Sequence, residues 1–270
     1  MPVQTEWVHF DDHTGYLARP ERAPLPLPGV LVLQEIWGVD GHIEDVTRRL
    51  AEAGYAALAP DLYGSGGGRP LPLLPERIAE VQAFTNSLPA SSWGDAAARS
   101  TALAALPAPE ARRIEESLGT LFGGLGQLDR YVPALRAAVR FLQGDGAPCA
   151  GQPVACVGFC MGGGLAALLA CEEPRLGGAA IFYGSAPPLD RVAGIACPVV
   201  GFYGGTDQRV NAGLPAFTEA MRAAGKPFES HVYEGAAHAF FNDRRPSYDV
   251  GASRDAFARL LEFLRRMAAS

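Results

Sequence analysis

Apolar residues along the chain fall into short unbroken runs, separated by longer stretches in which they recur every three to four positions. The runs predict strands at Val3 to Phe10, Gly15 to Arg19, Val30 to Leu33, Ala56 to Ala59, Val154 to Phe159, Ala179 to Tyr183, Val199 to Tyr203 and Phe228 to Tyr233. The first two flank Asp11-Asp12-His13-Thr14 and read as a hairpin. The later runs are rich in Val, Ile, Leu and Ala without alternation, the mark of strands covered on both faces. Helical spacing marks His42 to Ala53, Gln127 to Gln143, Met161 to Cys171, Leu214 to Ala224 and Ser253 to Met267. In the last of these, Phe257, Leu260, Leu261 and Leu264 share one face. Strand and helix in alternation predict an α/β fold, with a mostly parallel central sheet and helices on both faces.

The rhythm breaks from Gly64 to about Gly126. A Gly- and Pro-rich stretch, Gly64 to Pro75, leads into helical patterns around Ile78 to Phe84, Asp95 to Leu103 and Glu110 to Leu118. A flexible linker is the alternative, but the helical spacing favours an insertion over one end of the sheet. The expectation is one domain over residues 1–270, with 64–126 as a helical insertion forming a lid or pocket wall.

Composition narrows the class. Of 270 residues 48% are hydrophobic and 19% charged, which suits a large folded core and not a disordered chain. The 32 Gly and 22 Pro show no collagen-like period and so mark turns and loops. A formal charge of −6 argues against a nucleic-acid partner, which needs a basic face, and leaves small molecules as the expected ligands. The apolar stretch after Met161 stops at Glu172, short of a membrane span, and the first residues carry no secretory pattern. The expectation is a cytoplasmic protein off the membrane, a monomer or small homo-oligomer. Five cysteines, an odd number without a C-x-x-C pair, speak against a disulfide framework or a zinc site. Most should be small buried hydrophobes.

Cys160 stands in a different setting. The apolar run Val154 to Phe159 leads into Gly158-Phe159-Cys160-Met161-Gly162 and then a helix, a nucleophile-elbow pattern with Cys in place of the usual Ser. The elbow needs a sharp turn that lifts one side chain above the sheet, with glycines where strand and helix approach too closely for a β-carbon. A Cys there meets the amide groups and dipole of a helix N-terminus, which favour a thiolate. A buried structural cysteine is the bland alternative; a dinucleotide-binding loop fails on the glycine spacing.

Such a nucleophile needs an acid and then a His in chain order. Asp207 follows the run Val199 to Tyr203, and His238 follows Phe228 to Tyr233. Each sits in the loop beyond its strand, where sheets of this type carry function. Singly, Asp207 is also a good helix cap and His238 an ordinary loop histidine. His9, His13, His42 and His231 do not follow the acid in such a loop.

Together these residues resemble the dienelactone hydrolase family of α/β-hydrolases. The resemblance is carried by Leu33-Gln34-Glu35-Ile36-Trp37-Gly38, Ala59-Pro60-Asp61-Leu62-Tyr63, Gly158-Phe159-Cys160-Met161-Gly162-Gly163, Gly204-Gly205-Thr206-Asp207 and Gly235-Ala236-Ala237-His238-Ala239-Phe240. It covers about Val3 to Tyr63 and Leu128 to Met267. It implies an α/β-hydrolase fold, a Cys160–His238–Asp207 triad and hydrolysis of a lactone or small ester through a thioester. It further implies that Glu35 contacts the thiol and switches it between resting and active states, and that the N–H groups of Ile36 and Met161 form the oxyanion hole. Glu35 ends a strand, so its carboxylate can face the elbow; by itself it also reads as a solvated strand end. Trp37, Tyr63, Phe240 and Phe241 are candidates for an apolar substrate pocket, with plain core as the alternative.

One departure bears on substrate. Family members acting on dienelactone carry an Arg a few residues after the His, whereas this chain reads Ala239-Phe240-Phe241-Asn242-Asp243 before Arg244 and Arg245. The chemistry requires no metal or organic cofactor. A carboxylesterase, thioesterase or acyltransferase on the same scaffold, and a non-catalytic ligand-binding relative, are the rival readings.

Overall fold

The computed structural model describes residues 2–66, 68–89 and 95–269. Its eight strands are β1 (Val3–Phe10), β2 (His13–Pro20), β3 (Gly29–Leu33), β4 (Ala56–Ser65), β5 (Val154–Phe159), β6 (Gly178–Phe182), β7 (Val199–Gly204) and β8 (Phe228–Tyr233). They form one sheet in the order β1-β2-β4-β3-β5-β6-β7-β8. β1 and β2 pair antiparallel as the expected hairpin; β3 pairs parallel with β4 and with β5, and the steps from β5 through β8 are parallel. The fold is the α/β arrangement with a mostly parallel sheet that the alternating pattern predicts, and the α/β-hydrolase fold that the resemblance implies.

Each central strand is buried along its whole length because alternate residues serve opposite layers. Val30, Val32, Ala155, Val157, Phe182 and Phe202 point to the layer of α1 (Gly41–Glu52) and α9 (Val250–Ala268), with Ile43, Leu50, Leu260 and Leu264 in the same cluster. On the opposite face α6 (Met161–Glu172) packs on β3, β5 and β6, with α5 (Val132–Gln143) beside it. There the Cys156 thiol lies 3.8 Å from the Ala166 carbonyl. A helix pressed between sheet and neighbour has no polar side, and α6 is buried from Met161 to Ala170.

By contacts the chain forms two units, Met1–Leu62 with Leu128–Ser270, and Tyr63–Gln127. The first holds the sheet up to Leu62 of β4 and the helices just named. The second is helical beyond the end of β4: α2 (Pro75–Asn86), α3 (Ala96–Ala104) and α4 (Ala108–Gly123). Within it the Arg77 guanidinium donates to the Arg113 carbonyl at 2.6 Å and to Glu116 at 2.9 Å, and Arg113 pairs with Glu80. Ile78, Val81, Phe84, Ile114, Leu118 and Leu121 are its buried apolar residues on α2 and α4.

Boundaries differ from the expectation where local chemistry acts. Helix α5 begins at Val132, not Gln127, after a 3-10 turn over Leu128–Tyr131; Pro133 stands in its first turn, where a missing N–H is harmless. Helix α9 begins at Val250, because Asp249 accepts the Ala252 N–H at 2.9 Å and caps it there. Strand β4 runs on to Ser65; Pro60 falls beyond its β3 pairs, which end at Leu58.

Candidate active site

β5 ends at Phe159 and α6 starts at Met161, so Cys160 alone makes the turn, at φ 54° and ψ −112°. A positive φ is strained for a residue with a β-carbon and costs of order 1–3 kcal/mol. The turn is possible because a β-carbon on Gly158 would sit 1.8 Å from the Gly162 carbonyl oxygen, and one on Gly162 would sit 2.2 Å from that of Leu33. The Cys160 N–H donates to the Phe182 carbonyl at 3.0 Å, while its own carbonyl accepts the Gly163 and Gly164 N–H groups. β6 and the first turn of α6 thus hold the thiol above the ends of the central strands.

Asp207 lies three residues past the end of β7. It serves both of the roles its sequence context allowed: Oδ1 accepts the Val210 N–H at 3.3 Å, capping α7 (Gln208–Asn211), and Oδ2 lies 2.5 Å from His238 Nδ1. The Cys160 sulfur acts on the same imidazole. Burial disfavours the imidazolium, but the Cys160 sulfur and then the Asp207 carboxylate outweigh it, and His238 is pushed up to about 10. For Asp207 burial works upward and the His238 hydrogen bond and charge win, so its carboxyl is lowered. Both shifts describe an imidazolium paired with a carboxylate.

Glu35, 2% exposed, stands two residues past β3. Its Oε1 accepts the Tyr183 hydroxyl at 3.2 Å and its Oε2 the Asn242 amide at 2.8 Å. Tyr183, in the turn after β6, has φ 39°, and its ring meets His238 edge-on at 5.2 Å between centroids. Burial, followed by the charges of Glu35 and Cys160, pushes its phenol well above the usual range. Arg245 lies over the Trp37 ring, 5.0 Å from its centroid. Burial lowers its pKa, while Glu35, Cys160 and Asp40 oppose that shift by Coulomb attraction. Behind Glu35, the Gln34 carboxamide accepts the Leu62 N–H at 3.1 Å, bridging to β4 beyond its β3 pairs.

The structure therefore brings Cys160, His238 and Asp207 together and sets Glu35 nearby. Ile36 directly follows Glu35, and Met161 follows Cys160 as the first residue of α6. Trp37 is buried beneath Arg245, and Tyr63 is buried in β4 at the start of the second unit. Phe240 has no exposed surface and packs on Tyr183 and Tyr233 within the core. Phe241 likewise packs on Phe159 and Phe182. The participation of Tyr183 was not legible in the sequence, where an aromatic ending an apolar run reads as core. Its one signal was a place at the C-terminal end of a central strand.

The family model described as "Dienelactone hydrolase family" matches residues 13–268. A protein of Saccharolobus solfataricus named "Putative carboxymethylenebutenolidase" is 36% identical over 256 residues, covering 94% of each chain. Another of that name from Methylorubrum extorquens is 32% identical over 89% of this chain and 72% of its own length. Among solved structures, the "Putative Dienelactone Hydrolase" of Klebsiella pneumoniae superimposes with a TM-score of 0.65 at 27% identity, over 98% of this chain and 99% of that one.

Proposed function

The chain belongs to the dienelactone hydrolase family and is a hydrolase of lactone or ester substrates; from that premise we propose that it works by a Cys160–His238–Asp207 triad through a thioester. The observation that carries this reading is the Asp207–His238 pair, 2.5 Å apart, acting with the sulfur of a residue on a strained elbow. The Cys160 thiolate attacks the carbonyl carbon, and the N–H groups of Ile36 and Met161 take the charge that develops on oxygen. The carbon–oxygen bond breaks, and imidazolium His238 gives its proton to the leaving alkoxide. Neutral His238 then removes a proton from water, the hydroxide attacks the thioester, and the acid leaves as the thiolate and imidazolium return. One water is consumed for each ester bond cleaved. Thioesters of this kind turn over slowly with poor substrates, which fits a narrow range of activated lactones.

Arg245 favours substrates that carry a carboxylate. Its guanidinium lies in the field of Glu35 and Cys160, and a substrate anion beside the elbow would meet it. Five free cysteines suit a reducing, cytoplasmic setting.

The test is hydrolysis of p-nitrophenyl acetate and a panel of enol lactones, with mass spectrometry for an acyl group on Cys160. Cys160→Ala is expected to lose turnover and the adduct together; unchanged turnover in that variant overturns the reading. Arg245→Met should raise KM about tenfold for lactones bearing a carboxylate and leave neutral esters within twofold.

A further inference from the structure

Asp207 and His238 stand 31 residues apart in the chain, yet their side chains lie 2.5 Å from each other. The parallel pairs of β7 and β8 end at Gly204 and Tyr233, so both residues lie beyond the ladder, Asp207 by three positions and His238 by five. Past that point the two loops stay bonded to each other. The Gly205 N–H donates to the Tyr233 carbonyl at 2.8 Å, and the Thr206 N–H to the Ala236 carbonyl at 3.0 Å. The Thr206 hydroxyl donates to that same Ala236 carbonyl, also at 3.0 Å. No β-carbon fits between the loops: one on Gly204 would lie 2.6 Å from the Ala237 carbonyl oxygen, and one on Gly205 would lie 2.9 Å from that of Tyr233. The receiving loop is itself constrained, with Gly235 at φ 80° and Ala239 at φ 62° on either side of His238. A positive φ at an alanine persists only where the surrounding contacts over-determine it.

We propose that Thr206 is a positioning residue: its hydroxyl latches the loop carrying Asp207 to the loop carrying His238, and with Gly204 and Gly205 it sets the separation of carboxylate and imidazole. That this pair is the acid and base of a hydrolytic triad rests on the function proposed above. Thr206 is exposed, so its side chain fills no place in the core, whereas its acceptor residue Ala236 is 2% exposed. It directly precedes Asp207, and Ala236 lies two residues before His238, so slack at this bond acts within two residues of each partner. The Asp207 side chain is buried, and a buried carboxylate has little water to turn to when its imidazole moves away.

Loosening the latch has a defined sign. A carboxylate beside an imidazolium favours the charged form, as does a hydrogen bond to it, so a longer Asp207–His238 distance lowers the pH at which His238 gives up its proton. His238 faces the Asp207 carboxylate from the β7 loop, the Cys160 sulfur from the elbow and the Tyr183 ring from the β6 loop. Of these, Asp207 is the one on the loop that Thr206 holds, so the latch acts on His238 through that carboxylate.

The experiment follows the imidazole titration of His238 by NMR on protein labelled at histidine Cε1, its signal identified among the five histidines by its loss in His238→Gln. Thermal melting controls for folding, and kcat and KM are measured on an alkyl ester. Thr206→Val, nearly isosteric, should lower the titration midpoint by about half a pH unit, and Gly205→Ala, whose β-carbon wedges the loops, by about one. In both, kcat should fall by about three- to tenfold while KM stays within about twofold. Thr206→Ser keeps the hydroxyl and should return both readings to those of the parent. In an Asp207→Asn background, Thr206→Val should leave the midpoint where Asp207→Asn alone puts it, because the charge it positions is gone.

Titrations of Thr206→Val and Gly205→Ala that superimpose on the parent overturn the latch, as does a Thr206→Ser protein no closer to the parent than Thr206→Val. A Thr206→Val shift of equal size in the Asp207→Asn background overturns it too, since the residue would then act without the pair. If Gly205→Ala does not fold, Thr206→Val and Thr206→Ser decide between these outcomes. Unmoved titrations with ester turnover intact sink the latch and spare the triad. Moved titrations in a protein without ester turnover do the reverse.

Discussion

His238 is subject to opposing influences. Burial strips water from the imidazolium, yet the Cys160 sulfur and the Asp207 carboxylate hold its pKa at about 10, above its ordinary 6.5. In the proposed mechanism it is therefore an acid first at neutral pH and becomes a base only after giving its proton away. An alkyl ester needs that proton for its leaving alkoxide, whereas p-nitrophenolate departs without one. Acylation by an alkyl ester should accordingly fall about tenfold per pH unit above pH ~10, with p-nitrophenyl acetate showing no matching limb, as measured by stopped-flow acylation. The same pairing stabilises the fold fully below pH 6.5 and is lost as pH rises through about 10. The three residues of the proposed triad were legible because their types, their chain order and their places beyond strands coincide. Tyr183 and Asn242 were not. The turn at φ 39° that accompanies the Tyr183 hydroxyl's bond to Glu35 has no signature in residue type, and Asn242 stood in the sequence only as the residue found where an Arg was sought.

At the scale of elements, periodicity located every strand and the longer helices of the sheet unit but not the single turn of α7, and helix starts followed capping groups that periodicity does not register. Pro133 and Asp249 moved two helix starts in opposite directions for that reason. The far end of α6 is secured by side chains. Glu173, 1% exposed, receives Arg175 at 2.8 and 3.1 Å and the α5 residue Arg136 at 3.3 Å, and the Arg175 hydrogen bond above all brings its carboxyl down to about 2. The stability this contributes is present above pH 4.5 and lost as pH falls through about 2. Glu173→Gln should cost about 1–3 kcal/mol at pH 7, as a charge-assisted bond does. Urea unfolding should show the two proteins converging as pH falls from 4.5 towards 2. A constant difference across that range would place the role of Glu173 in packing and not in its charge.

At the scale of the molecule, the chain separates chemistry from the stretch that interrupts it. Cys160, Asp207, His238 and Glu35 belong to the unit of Met1–Leu62 and Leu128–Ser270, while Tyr63–Gln127 packs on its own apolar residues and its own arginines. If the second unit selects substrate, as the lid or pocket-wall expectation holds, loosening it should alter which esters are accepted and leave the elbow's reactivity unchanged. Arg77 is the lever. It is 8% exposed and joins α2 to α4 through the Arg113 carbonyl and Glu116. Arg77→Ala removes both bonds and should destabilise that unit by about 1–3 kcal/mol. Hydrogen exchange is expected to quicken over α2 and α4 and stay unchanged in β3, β5 and β6. In the same variant, the pH profile of Cys160 alkylation should match the parent, while KM for bulky lactones moves severalfold and that for p-nitrophenyl acetate does not. Equal changes in KM for both substrates, with an unaltered alkylation profile, would remove substrate selection from the second unit. Faster exchange in β5 would show that the two units do not open independently.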